Sequence, residues 1–205
     1  YVASPAFPNY HYCWLRDGSF TAHAMDCVGQ HASAESFFRW VDMVIRRYAA
    51  KVDELERSLK DGSDTSKDAI LHTRFTLDGF EGTADSTWGN FQIDGYGTWL
   101  WALAEHVRRT GNYPLLNELS TSITTTLRYL ALTWKMPNYD CWEEHPAYLH
   151  PYSLACVYGG VNEMALLQEE GKIHGVEMDL ASLASGVQKF IIDHGVVSGR
   201  FVKHI

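Results

Sequence analysis

Three short segments, far apart in the chain, each combine a tryptophan with one or more carboxylates. They are Trp14 to Asp17, Trp88 to Asp94, and Trp142 to Glu144. Indole rings can cover the apolar faces of a pyranose, while Arg, Asp and Gln side chains hydrogen-bond to its hydroxyls. A pocket that fixes every hydroxyl of a ring selects a terminal sugar. The residue types therefore indicate a sugar site that acts at chain ends.

Hydrolysis of a glycosidic bond needs one carboxylic acid to protonate the leaving oxygen and a second carboxylate as nucleophile or base. Glu143 and Glu144 are adjacent in sequence, so they cannot flank one bond from opposite sides. We expect one of them to be the acid, kept protonated by burial beside Trp142 and by its charged neighbour. The other would hydrogen-bond to the substrate, and the partner carboxylate must come from elsewhere.

The elements that must position these residues are predicted to be helices. Apolar residues recur with helical spacing in six stretches, most of them followed closely by Gly or Pro. The stretches are Phe20 to Val28, Phe37 to Leu59, Ile93 to Val107, Leu116 to Trp134, Leu154 to Met164, and Leu180 to Ile191. Short connections within successive pairs predict three antiparallel αα-hairpins.

Two stretches have a different pattern. Apolar and polar residues alternate over residues 70–77 before Asp78-Gly79, which predicts a short strand and a turn, and a second small hairpin is predicted at Val196 to Val202. Within the fifth helix, Gly159-Gly160 indicates a close helix approach or a kink near the pocket, and simple core crowding is an alternative of at least equal weight.

The three tryptophan segments stand just before the first, third and fifth predicted helices. If the hairpins stack side by side, these helices run parallel and their N-termini open on one face. We therefore expect the segments to converge on one pocket. The positive end of each helix would favour the carboxylate forms of Asp17 and Asp94, and a purely structural N-cap role for Asp94 is the alternative.

Composition excludes several classes of function. The formal net charge is -8, and the 17 Lys and Arg residues are scattered, so nucleic acid is not an expected partner. No apolar run approaches the roughly 20 residues that cross a bilayer, which predicts a soluble protein without a membrane partner, whether cytoplasmic or secreted. The chain begins with Tyr1, so we expect the true N-terminus and any targeting signal to be missing.

The four cysteines are widely spaced and are expected to be mostly free thiols, with Cys13 to Cys141 as the one pairing to check. The sequence contains no CxxC or HExxH spacing. We therefore predict no metal site and no cofactor.

The three segments resemble glycoside hydrolase family 15, which contains glucoamylases, glucodextranases, isomaltose-releasing hydrolases and some trehalases. The matching stretches are Tyr10 to Asp17, Trp88 to Gly95, and Tyr139 to Glu144. Any one of them would be weak support. Together, in the order of the family and with helical hairpins between them, they form a specific pattern that covers essentially the whole chain.

The resemblance implies a role for each matching residue. Arg16 and Asp17 would grip the outer hydroxyls of the non-reducing-end glucose. Trp88 would line the pocket near the acid, and Gln92 and Asp94 would support its wall.

For the remaining positions, the resemblance implies that Glu143 is the general acid and that Glu144 binds substrate. Tyr10 would lie near the hydrolytic water. Trp14 and Trp142 are the indoles expected at the substrate.

The fold implied by the resemblance is all-α, an (α/α)6 barrel of twelve helices, of which this chain would form the first half with small β-hairpin insertions. We expect residues 1–205 to be one partial catalytic domain, since no segment matches the general base that the family carries in its second half. The missing half of the barrel is thus the expected protein partner, and the chain alone should turn over hardly at all.

The function implied is inverting, exo-acting hydrolysis of terminal α-linked glucose, with isomaltose, α-1,4 glucans and trehalose open as substrates. A catalytically inactive glucan-binding or regulatory barrel is the first alternative, which the intact Trp142 to Glu144 segment disfavours. A polysaccharide lyase on the same fold is a remote alternative, because it would require basic residues for a uronate.

Overall fold

The computed structural model describes residues 1–7, 10–63, 69–82 and 89–205. The described residues form seven α-helices and four short strands. The helices are α1 Leu15–Cys27, α2 His31–Asp61, α3 Asp94–Thr110, α4 Pro114–Glu118, α5 Ser120–Thr133, α6 Pro151–Glu169 and α7 Leu180–Gly195; the strands are β1 Cys13–Trp14, β2 Arg74–Phe75, β3 Val196–Val197 and β4 Arg200–Phe201. The mostly helical prediction is confirmed. None of the described helices is long and apolar enough to span a lipid bilayer.

The fourth predicted helix is two helices, which corrects the predicted number from six to seven. Leu119 ends α4 and begins α5 with φ −93° and ψ 8°, outside helical geometry. Its side chain is buried, as are those of Leu115 and Leu116. Because α4 begins at a proline and must bury these leucines in one turn, the chain bends before α5 continues along the core.

The first predicted helix is present, but its predicted buried stripe is wrong. Phe20 and Val28 are exposed, while the buried residues of α1 include Gly18, Ser19 and Ala22. A side chain at Gly18 would meet the ring of Phe37 at 2.4 Å. Small residues therefore form the packed face of α1 because α2 lies too close for larger ones.

The helices form two layers. α3 packs against both α1 and α6, which places these three helices side by side, and α2, α5 and α7 lie behind them, with α2 against α1 and α5, and α7 against α6. The first, third and fifth predicted helices are therefore neighbours, as expected from stacked hairpins.

The contact between α3 and α6 depends on two glycines. A Cβ atom on Gly160 would lie 2.3 Å from the carbonyl oxygen of Gly97, and one on Gly97 would lie 2.3 Å from the carbonyl oxygen of Cys156. The two backbones therefore touch, which confirms the close approach predicted from the glycine pair. Gly159 meets nothing within 4 Å, so only one glycine of the pair is needed.

Both predicted strand regions contain strands, although they are short. β2 pairs antiparallel with β1, with Cys13 opposite Phe75 and Trp14 opposite Arg74. β3 and β4 form the second predicted hairpin. Its turn residues Ser198 and Gly199 have φ angles of 51° and 74°, the left-handed conformation that two-residue hairpin turns use.

A buried carboxylate, that of Asp26, joins helices α1, α2 and α3. Asp26 of α1 is 2% exposed. Its oxygens lie 2.9 and 3.0 Å from Nδ1 of His106 in α3, and 2.8 Å from Nδ1 of His31 at the start of α2. A buried carboxylate requires such partners, so this cluster fixes the C-terminal end of α1 to its two neighbours.

All four cysteines are free thiols. Burial raises the pKa of the Cys13 and Cys156 thiols to about 12 each, so both are protonated at neutral pH. Cys13 and Cys141 do not form a disulfide, and the prediction of free thiols is confirmed.

The glycine contact predicts that alanine will affect the free energy of unfolding differently at positions 160 and 159. Gly160→Ala should lower the free energy of unfolding by about 1–3 kcal/mol, because the added methyl group must separate α3 from α6. Gly159→Ala is the matched control and should leave it unchanged or raise it by up to about 1 kcal/mol through helix propensity. Urea denaturation of both variants measures the difference, and equal effects would contradict the backbone contact.

Candidate functional site

Trp14 is positioned by the sheet rather than by a helix. It is the last residue of β1, with extended backbone, and it directly precedes α1. Its ring is 3% exposed, and the guanidinium of Arg74, opposite it in β2, lies 5.3 Å from the ring centre. Strand pairing and this cation–π contact together fix the direction of the indole N–H.

Arg16, in the first turn of α1, holds the start of α3. Its Nη1 donates to Asp94 Oδ2 at 2.8 Å and to Gln92 Oε1 at 3.1 Å. Asp94 and Gln92 are fully buried, while 16% of the Arg16 side chain is exposed. Asp94 also accepts the backbone N–H of Gly95, so it serves both as an ion-pair partner and as a residue of the helix start.

Glu143 contacts both of these segments. Its Oε1 accepts from Trp14 Nε1 at 3.0 Å and from Gln92 Nε2 at 2.9 Å. Among the described residues, no hydrogen bond involves its second oxygen, Oε2. We name the five residues Trp14, Arg16, Gln92, Asp94 and Glu143 the polar cluster. All three predicted segments thus contribute a residue to it, as the sequence indicated.

The electrostatics of the cluster are set by burial and by its one guanidinium. Burial alone would lower the pKa of Arg16, but Asp94 and then Asp17 raise it above its ordinary value. Burial raises the pKa of Asp17, and the carboxylates of Asp94 and Glu143 add to this against the opposite effect of Arg16. A backbone N–H at the helix start lowers the pKa of Asp17, as expected, but burial has the larger effect, so the pKa lies above its ordinary value.

Asp17 lies at the edge of the cluster. Its Oδ2 is 3.6 Å from Arg16 Nη2, and 44% of its side chain is exposed. It is therefore the carboxylate of the first segment that a ligand can reach.

The environment of Glu143 differs from the one predicted. Trp142 is 77% exposed, so its ring does not bury the carboxyl group. Glu144 pairs with Lys203, with Oε2 2.6 Å from Nζ. Neither neighbour acts on Glu143 as expected, and its partners are instead Trp14 and Gln92 from the other two segments.

Of the two remaining predicted residues, the structure describes only Tyr10. Tyr10 is 41% exposed, and its ring centre lies 5.9 Å from that of Trp14. Trp88 lies outside the described residues.

Two cavities are lined by residues next to members of the polar cluster in sequence or on the same helices, although no residue of the cluster itself lines either one. One of about 720 Å³ is lined by Cys141 and Trp142, by Tyr152 of α6, and by apolar residues of α7 and β4. The other, of about 300 Å³, lies where α1, α3 and α6 meet and is lined by Phe20, Trp101 and Tyr152, among others. Both surfaces are mostly apolar and open to solvent.

Sequence reasoning assigned no role to Asp140, although it lies within a matching stretch. Asp140 is 3% exposed, and its Oδ1 accepts the backbone N–H groups of Trp142 and Glu144 at 2.9 Å each. An Asp that precedes a tight turn commonly binds the backbone in this way, and this was the available signal. Lys203 gave no signal, since only the fold brings it to this loop.

Comparison with known proteins connects these residues to a family. The chain matches the glycosyl hydrolases family 15 over residues 1–203. It is 37% identical to the isomaltose glucohydrolase of Kribbella flavida over 206 residues, which cover 99% of this chain and 52% of that protein. It is 26% identical to an uncharacterized glycosyl hydrolase of Methanocaldococcus jannaschii over 78% of this chain and 22% of that protein.

Solved structures give the fold. A wild-type glycosidase, 37% identical, superposes on the whole chain with a TM-score of 0.91, and the chain covers 54% of it. A glucoamylase from Saccharomycopsis fibuligera, 16% identical, superposes on 99% of the chain with a TM-score of 0.69, and the chain covers 45% of it. The chain thus has the fold of about half an (α/α)6 barrel and spans about half the length of the first of these relatives.

The buried ion pair predicts a large loss of stability on removal of its cation. Arg16→Met should lower the free energy of unfolding by about 3–5 kcal/mol, because Asp94 would remain buried without its partner. Arg128→Met is the matched control, since Arg128 pairs with Asp53 and Glu56 at the surface, and it should cost about 1 kcal/mol or less. Urea denaturation compares the two, and a similar loss in both variants would contradict the importance of burial.

Proposed function

The chain belongs to glycosyl hydrolases family 15, and on this basis we propose that it is the acid-bearing half of an exo-acting, inverting α-glucosidase. The single observation that carries the proposal is the position of Glu143, whose carboxyl group meets two other tryptophan-and-carboxylate segments through Trp14 and Gln92. A glutamate held by donors from distant segments is suited to act on a ligand bound among them.

In the proposed mechanism, Arg16 and Asp17 bind the outer hydroxyls of the terminal glucose. Arg16 has N–H groups beyond those that bind Gln92 and Asp94, and Asp17 is reachable from solvent as an acceptor. A guanidinium and a carboxylate side by side match the donor and acceptor character of adjacent sugar hydroxyls. Tyr10 and Trp14 flank this position, and Trp88, Trp142 and Glu144 are proposed to contact the sugar from the remaining sides.

Glu143 is proposed to protonate the leaving glycosidic oxygen. Because Oε1 already accepts two hydrogen bonds, the proton is assigned to Oε2. A general base would activate a water on the opposite face of the ring, with the two carboxyl groups about 6.5–9.5 Å apart, so that the product is β-glucose.

The substrate is proposed to be a small gluco-oligosaccharide with a terminal α-linked glucose. Isomaltose is the first candidate, because the relative that is 37% identical is an isomaltose glucohydrolase. Maltose-type α-1,4 linkages and trehalose present the same terminal ring and are the alternatives.

The general base and the rest of the pocket are proposed to come from a second half of the barrel, with residues 1–205 as the first. Large apolar side chains support this proposal. Phe20, Ile192 and Phe201 are each about half exposed or more and line the two cavities. Exposed apolar surfaces of this kind commonly mark an interface, and the 52% and 54% coverage of the relatives leaves room for a second half to cover them.

Hydrolysis by a completed barrel tests the function. The second half can be taken from the Kribbella flavida relative and supplied as a fused or a separate polypeptide. We expect the completed barrel to hydrolyse isomaltose, maltose or trehalose and to release β-glucose first, as followed by proton NMR. Release of α-glucose first would contradict inversion, and sugar binding without turnover would favour the glucan-binding alternative.

Glu143→Gln in the completed barrel tests the acid. The amide cannot donate an acid proton but can still accept from Trp14 and Gln92, so substrate binding should persist while kcat falls by about 100-fold to 10,000-fold. Glu169→Gln, at the exposed end of α6, is the matched control and should keep full activity. Retained activity in Glu143→Gln would reject the assignment.

A further inference from the structure

We propose that Asp140 is a positioning residue for Glu143 and that Lys203, beyond the β3–β4 hairpin, fixes Asp140 in turn. The proposal rests on the proposed function only for its effect on catalysis, since the positioning itself is a statement about the loop 140–144.

The backbone of Glu143 requires support. Its φ angle is 61°, in the left-handed region that residues other than glycine seldom adopt. Such a conformation persists only where the surroundings determine it. The residue with the unusual backbone is also the one assigned the proton transfer.

Asp140 supplies that support from a single side chain. Its Oδ1 accepts the N–H groups of Trp142 and Glu144, the two residues that flank Glu143, at 2.9 Å each. The backbone closes the same turn, because Glu143 N–H donates to the Asp140 carbonyl at 2.9 Å and Asp140 N–H donates to the Glu144 carbonyl at 3.3 Å. With Asp140 buried, the turn cannot rotate without losing hydrogen bonds that water would not replace.

Lys203 holds the outer side of the same turn. Its Nζ lies 3.7 Å from Asp140 Oδ2 and 2.6 Å from Glu144 Oε2. The segment that carries it is fixed by two backbone hydrogen bonds between Ile205 and Leu149, of 2.7 and 3.2 Å. Asp140 Oδ1 therefore binds the backbone of the loop, and Oδ2 faces Lys203, which follows the β3–β4 hairpin.

The turn sets the orientation of the Glu143 carboxyl group. Its Oε1 must meet Trp14 Nε1 and Gln92 Nε2 together, and a rotation of the turn would break both contacts and move Oε2 from the scissile oxygen. A displacement of about 1 Å in a reacting group can cost about 100-fold in rate.

The first test reads geometry in the 205-residue chain, without catalysis. The Trp14 indole N–H signal in a 1H–15N NMR spectrum reports its hydrogen bond to Glu143, and Glu143→Ala gives the position of the released indole. Asp140→Ala should move the signal toward that position, and Asp140→Asn, which keeps an acceptor at Oδ1, should not. Asp179→Ala is the matched control, because Asp179 also accepts a backbone N–H, that of Ser182, but at the start of α7. An unmoved signal in Asp140→Ala would overturn the proposal.

The second test reads proton transfer in the completed barrel. Asp140→Ala should lower kcat on isomaltose by about 100-fold with little change in KM, and Asp140→Asn should restore most of it. α-Glucosyl fluoride needs little protonation of its leaving group, so its hydrolysis should fall by less than about 10-fold. Equal losses on both substrates would show a merely structural role and overturn the proposal.

A second variant covers the case in which Asp140→Ala does not fold. Lys203→Met removes the contacts to Asp140 Oδ2 and Glu144 Oε2 but leaves both hydrogen bonds of Asp140 Oδ1. It should lower isomaltose hydrolysis several-fold while sparing the fluoride; no selective loss would contradict the role of Lys203. If the completed wild-type barrel hydrolyses neither substrate, the proposed function fails, and the NMR comparison still decides whether Asp140 positions Glu143.

Discussion

A carboxylate that is fully buried must be given a positive partner, and in this protein that requirement organises the site. Asp94, at the first residue of α3, has no exposed surface, and its partner Arg16 comes from the first turn of α1. The ion pair therefore locks the starts of two helices together. The same guanidinium holds Gln92, whose amide in turn holds Glu143, so that one electrostatic constraint reaches the group assigned the proton transfer.

The constraint is effective because the helices cannot slide. Gly97 and Gly160 bring the backbones of α3 and α6 into contact, and Asp26 joins α1 to α2 and α3 at the other end of α1. Close-packed backbones leave little room for a shift of one helix against the next. A rigid layer of three helices thus carries a polar cluster at one end and presents large apolar side chains such as Phe20 to the solvent.

Much of this could be predicted from sequence, and the exceptions have physical reasons. Helical spacing and glycine stops located the helices, because these are local signals. The predicted buried face of α1 was wrong. The small residues Gly18 and Ala22 form the packed face, whereas hydrophobicity alone selects Phe20. The break at Leu119 was missed because Leu116, Leu119 and Ile123 keep helical spacing across it.

For the site, residue types identified which segments meet, but not which atoms. Trp142 and Glu144 were the predicted partners of Glu143 because they are its neighbours in sequence. Glu143 has a left-handed backbone, Trp142 is exposed and Glu144 pairs with Lys203. The hydrogen bonds of the Glu143 side chain come from Trp14 and Gln92 instead. Backbone conformation of this kind carries no signal in composition or periodicity, and neither does a contact with Lys203 near the end of the chain.

The pairing of β1 with β2 has a consequence for the order of assembly. Trp14 lies opposite Arg74, and Glu143 bonds to Trp14 across a separation of 129 residues. Contacts this distant in sequence form slowly, because a long loop must close first. During synthesis at about 5–20 residues per second, the α1–α2 hairpin can form as soon as it leaves the ribosome, whereas the acid loop must wait several seconds longer. In the nascent chain, the α1–α2 hairpin is therefore available first, and the acid loop and α6 follow it.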